Sequence, residues 1–171
     1  PFHTWRPPAH TDAPATGSAV LAGVLLKMGT YGFVRIAMPI LPEAWRAWAW
    51  AIVVIGIVSV LYGAFVALAQ TNLKRMIAYT SVNHMGYIVL ALGAVGLVVD
   101  NSAQARSVAV TGAVVQMVSH GLITAALFLL AGVMARRGRR IGLSAGYLLG
   151  TAGGVLAVLA GLIPHSRAGS L

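Results

Sequence analysis

Cysteine is absent from the 171 residues, and the chain has only three acidic residues against twelve lysines and arginines. Without cysteine, disulfides, thiolate metal sites and iron–sulfur clusters held by this chain are excluded. Charged residues of either sign make up only 9% of the chain, whereas a soluble domain carries about 25%. Together with 58% hydrophobic residues and a mean hydropathy of +0.85, that scarcity excludes an ordinary soluble domain. A formal charge of +9 would point to nucleic acid in a soluble protein. Here the basic residues fall in short stretches between apolar runs, so membrane topology accounts for them and nucleic acid is not expected as a partner. Phosphate-binding loops, hydrolase serine motifs and metalloprotease motifs are also missing. Pro1–Ala15 has no signal-peptide pattern and no leading methionine, so the chain is expected to be a fragment of something longer.

What is present is a series of apolar runs long enough to cross a bilayer. The expected class is an all-α integral membrane bundle of four to five spans. The spans are placed at about 18–38, 48–70, 76–99 and 108–134, with a glycine-rich fifth candidate at 142–163. Four prolines between Pro1 and Gly17 preclude one continuous helix there and leave a loop or a broken-helix end. Pro39 and Pro42 are expected to stop the first span. The segment Pro42–Trp50, with Glu43, Arg46, Trp45, Trp48 and Trp50, matches an aqueous interface with an aromatic belt, so its tryptophans are expected to be lipid anchors rather than a quinone-stacking site. Gly56 and Gly63 would let the second span approach a neighbour closely. Lys74 and Arg75 are taken as topology charges, and Arg136, Arg137, Arg139 and Arg140 form a basic cluster after the fourth span. Seven basic residues, Arg6 among them, fall on the side of the N-terminus and four on the other, so the N-terminal side is expected to be cytoplasmic.

Three spans each bring one basic titratable residue to mid-membrane depth, while Arg35, near the end of the first span, can snorkel. Lys27 is nine residues beyond Ser18, roughly 13 Å along a helix and so near the middle of a hydrocarbon core about 30 Å thick. By the same arithmetic His84 and His120 sit roughly 15 and 18 Å into their own spans. A lysine at that depth can carry protons, or it can snorkel or pair structurally. A lone membrane histidine is commonly an interhelical hydrogen-bond partner. Three such groups at one level shift the reading towards a proton relay of Lys27, His84 and His120, which should form one inward-facing layer. No metal site is expected, since no two histidines share a helical face and no carboxylate is near. The acids, Asp12, Glu43 and Asp100, are all placed in loops, which leaves Lys27 without an in-chain counter-charge at its depth.

Several long motifs also carry a family likeness: PFHTW and AHTDAP (Pro1–Trp5, Ala9–Pro14), AGVLLKMGTYGFVR (Ala22–Arg35), AQTNLKRMIAYTSVNHMGY (Ala69–Tyr87) and GAVVQMVSHGLITAALFLLAG (Gly112–Gly132). Over residues 1–134 the chain resembles the chain M family of antiporter-like, proton-translocating membrane subunits of NADH-quinone oxidoreductase, respiratory complex I. The resemblance implies a fragment of a larger subunit in the bacterial cytoplasmic (inner) membrane, packed among the other membrane subunits of the complex. In such a subunit Lys27 matches the central-axis lysine, and His84 and His120 match the histidines that lead on from it. It also implies that NADH and quinone are used by the parent complex elsewhere and that no cofactor is bound by this chain. Arg6 and Pro8 depart from the family's leucine and aspartate, which would disturb the helix there, and residues 135–171 depart from its expected connection. The competing readings are a truncated, nonfunctional remnant, or a subunit of a cation/proton antiporter or membrane-bound hydrogenase.

Overall fold

The computed structural model describes residues 3–98 and 103–136. The candidate fifth span 142–163 and the arginines at 137, 139 and 140 lie outside them. Five helical stretches follow one another: α1 (Arg6–Asp12), α2 (Ala15–Ile40), α3 (Pro42–Leu68), α4 (Leu73–Leu97) and α5 (Ala103–Arg136). The last four are each long and apolar enough to cross a membrane. The first four expected spans are therefore present: the first and fourth extend further at both ends, the second and third begin earlier and end two residues sooner, and Ala103–Ser107, placed in a loop from the sequence, forms the first turns of α5.

The prolines act differently from their expected role as simple stops. Pro7 and Pro8 lie in the first turn of α1, where backbone N–H groups have no intrahelical partner to lose, so the short helix forms despite them. It ends at Ala13, held extended (ψ 149°) by the following Pro14. Pro39 does not stop α2. It lies inside the last turn, directly after the π-helical stretch Phe33–Ala37, whose wider turn relieves the clash a proline ring makes with the preceding carbonyls. The break falls at Leu41 (φ −124°, ψ 57°), the residue before Pro42, and Pro42 opens α3.

Helix α4 is the axis of the bundle, with α3 packed along one side and α5 along the other. The α3–α4 contact is a backbone approach. A Cβ added at Gly56 would come within 2.8 Å of the Leu90 backbone, one at Gly63 within 2.6 Å of the Asn83 nitrogen, and one at Gly86 within 2.9 Å of the Val60 nitrogen. The role expected of Gly56 and Gly63 is thus met, with Gly86 answering from the other helix. On the opposite side of α4, Ile77 packs with Ala19, Ala22, Phe128 and Ala131, and Ile88 and Leu92 pack with Ala113 and Met117.

Two side chains assigned to the interface have structural jobs instead. Trp45 is half-buried, and its indole Nε1 donates to the Leu92 carbonyl oxygen at 3.1 Å, tying the start of α3 to α4. It is not a lipid anchor, because that polar atom is spent between helices. Trp48 and Trp50, 68% and 65% exposed, remain available to lipid. Lys74 is more than a topology charge: its Nζ donates to the Ala13 carbonyl at 2.9 Å and to Thr11 at 3.4 Å, capping the C-terminal end of α1.

The glycine contacts generate a test. Gly63→Val should overpack the α3–α4 seam and lower stability by about 1–3 kcal/mol, whereas Gly29→Ala, which meets nothing within 4 Å, should hold or raise it. Thermal unfolding of the full-length protein in detergent measures both.

Candidate functional site

The site is built on the least regular span. Helix α2 contains two π-helical stretches, Leu21–Leu25 and Phe33–Ala37, on either side of Lys27. In a π turn the hydrogen-bond ladder is shifted by a residue and a carbonyl becomes available to another donor. The Lys27 ammonium takes such an acceptor, donating to the Ala22 carbonyl oxygen inside the first stretch. Thr30 Oγ1 donates to the Lys27 carbonyl at 3.0 Å, which satisfies the next turn. Lys27 is only 9% exposed, as its expected inward position requires.

Small residues let this span reach α5. A Cβ at Gly121 would fall 2.7 Å from the Gly23 carbonyl oxygen and 3.6 Å from Lys27 Cε, so any larger residue there would displace α2. Next to Gly121 stands His120, 3% exposed, with its Nε2 hydrogen-bonded to Ser81 Oγ at 3.2 Å. Its ring stacks on that of His84, with centroids 4.9 Å apart and planes 30° apart. His84 Nδ1 in turn pairs with Gln116 Nε2 at 3.0 Å. The structure therefore stacks His84 on His120 and sets Lys27 beside Gly121, the neighbour of His120, so that the three residues come from three helices to one side of α4. An apolar groove of about 860 Å³, open on its outer side, runs between α2 and α5 beside Lys27, walled by Gly23, Val24, Met117, Gly121 and Leu122.

Ser81 and Gln116 were not singled out from the sequence, although a signal existed. Ser81 precedes His84 by three residues and Gln116 precedes His120 by four, spacings that put each polar residue on its histidine's face. Arg6 and His10 were missed for another reason: α1 folds its cation inward. Arg6, counted as an interface charge, is 6% exposed, and His10 is fully buried with its ring stacked on Phe128, centroids 4.8 Å apart. Ser18 Oγ donates to the His10 carbonyl at 3.0 Å and pins α1 to the start of α2. Both acids among the described residues, Asp12 and Glu43, are exposed. No group of three metal-ligating side chains occurs among the described residues.

The sequence model of the family described as NADH:quinone oxidoreductase/Mrp antiporter, TM, matches residues 1–165. The chain is 42% identical over 137 residues to NADH-quinone oxidoreductase subunit M of Rickettsia prowazekii, an alignment covering 80% of this chain and 26% of the relative. It is 50% identical over 137 residues to NAD(P)H-quinone oxidoreductase chain 4 1 of Synechococcus elongatus and 48% identical over 137 residues to that of a Nostoc species, covering 80% of this chain and 24% of each relative. The chain spans about a quarter of the length of these curated relatives.

His10 supplies a pH test. Burial, with the positive charges of Arg6 and Lys27 nearby, pushes its pKa down to about 4. Free imidazole titrates near 6.5, so between about pH 6.5 and 4 the unfolded chain binds the extra proton and stability falls as pH falls. The contribution, on the order of 3 kcal/mol, is complete above pH 6.5 and lost through pH 4. The full-length protein in detergent should unfold at a lower temperature at pH 5 than at pH 7. His10→Phe, which keeps an aromatic ring against Phe128, should remove part of that difference.

Proposed function

The chain belongs to the NADH:quinone oxidoreductase/Mrp antiporter membrane family, and from that premise we propose that it is the part of a proton-translocating subunit that carries protons at mid-membrane depth. The observation that carries this reading is the convergence of Lys27, His120 and His84, the lysine passing Gly121 beside a histidine that stacks on the next. In the relay the Lys27 ammonium releases one proton to become an amine and is ready to accept another. His120 and His84 each take a proton at one ring nitrogen and release one from the other. Ser81 and Gln116 orient the two rings, and the burial of Lys27 limits direct exchange of its proton with bulk water.

Lys27 bonds a neutral carbonyl, a partner that leaves the nitrogen free to lose its charge, which suits a group that must titrate during turnover. The parent is a membrane subunit of an NADH-quinone oxidoreductase in the bacterial cytoplasmic membrane, with its N-terminal side facing the cytoplasm, assembled with other membrane subunits. NADH and quinone react elsewhere in that complex, and this chain holds no cofactor.

Lys27→Ala in the parent complex should cut proton pumping by about tenfold or more, consistent with loss of a proton-transfer group. The bound dehydrogenase's reaction with artificial electron acceptors should change far less. Normal pumping by a fully assembled Lys27→Ala complex would sink the relay.

A further inference from the structure

The relay makes no use of Arg6, the cation that opens α1. Its Nε and Nη2 are both buried and both lack a hydrogen-bond partner. Those two N–H groups lie along one edge of the guanidinium and point the same way, the fork that takes both oxygens of a carboxylate at once. His10, four residues on and therefore on the same face of the helix, is wholly buried with both ring nitrogens unpartnered. An arginine cannot escape such a place by dropping its proton: burial pushes Arg6 down only to about 10, so it stays charged at neutral pH. A buried charge without a partner is among the most destabilising features a chain can hold. The acids among the described residues do not serve, because Asp12 and Glu43 are both exposed.

We propose that the Nε–Nη2 edge of Arg6, with His10 beside it, receives a side-chain carboxylate from an adjoining membrane helix, carried either on the rest of the full-length chain or on a neighbouring subunit. The chain covers about a quarter of its relatives' length, so much of the surrounding helical structure lies beyond it. A planar carboxylate matches the two parallel donors, and the long arginine side chain can turn to meet it from a site with little exposure of its own. A lipid phosphate would stay at the headgroup level, whereas Arg6 is packed with His10 in a turn held against Phe128. This inference rests on the chain being part of a larger membrane assembly and not on the relay. Its readouts are contact and assembly, so a failure of the relay leaves it standing.

The test uses Arg6→Lys in the full-length protein within its native complex, treated with a membrane-permeable carbodiimide, which joins an amine to a carboxylate in contact with it. The expected product is an amide bridge from position 6 to one aspartate or glutamate. Mass spectrometry of the linked peptides tells whether that acid is on the same chain or a neighbour. A complex assembled at the wild-type level with no bridge, as a lipid phosphate partner would give, overturns the proposal. If Arg6→Lys does not assemble, Arg6→Leu decides. Alone it should lower assembled complex by about tenfold or more, and one Asp→Asn or Glu→Gln replacement in the complex should restore it. Wild-type assembly of Arg6→Leu alone, or rescue by none of the acid replacements, overturns the proposal.

Discussion

A cationic nitrogen in the middle of a membrane span must find an acceptor without water, and the rest of the bundle follows from how Lys27 finds one. Hydrocarbon supplies none, and the two acids among the described residues are exposed elsewhere. The backbone supplies it instead. A π turn at Leu21–Leu25 offers the Ala22 carbonyl, and the ammonium folds back onto it. That arrangement works only if neighbouring helices come close enough to shield the nitrogen, which is why Gly23 faces Gly121 across a gap no larger residue could share. The lysine, the irregular turn and the glycine pair form one solution to a single desolvation problem.

The two sides of α4 meet different demands. Against α3 the seam is glycine on backbone, and its polar link is the Trp45 indole on the Leu92 carbonyl. In a bilayer, helices gain little from hiding apolar surface from one another, so close backbone packing and an interhelical hydrogen bond hold such a pair together. Against α5 the same helix presents Ser81 and His84, and the contact there is partly polar. One helix thus separates a seam of close backbone packing from a face that carries histidines and their hydrogen-bond partners.

Much of this was legible in the sequence, for identifiable reasons. Length and hydropathy located the four spans, because a bilayer sets a minimum apolar length that few other constraints imitate. Counting residues at a helical rise put Lys27, His84 and His120 at one level of their spans; His84 and His120 stack, and Lys27 lies against Gly121 beside His120. What could not be counted was direction. Trp45 stands in an aromatic belt by composition, but its place on the helix turns it towards Leu92. Lys74 and Arg6 look alike as loop cations, yet one caps α1 and the other is folded beneath it, a difference set by how α1 docks on α4. The π stretches left no pattern to read, since LAGVL and FVRIA are apolar stretches of a kind that regular membrane helices also contain. Pro39 is the nearest thing to a sign of the second.

Regularity is itself distributed in a telling way. Helix α3 runs unbroken for 27 residues, and its only titratable groups are Glu43 and Arg46 in its opening turns and Tyr62. Helix α2, with two π stretches and a proline, carries the lysine. Uniform α-helical bonding is the cheapest backbone in lipid, so departures from it persist where they do something the uniform helix cannot. The regular helices fix the frame, while the span that bears the charge is the one whose backbone departs from α geometry where the ammonium finds its acceptor.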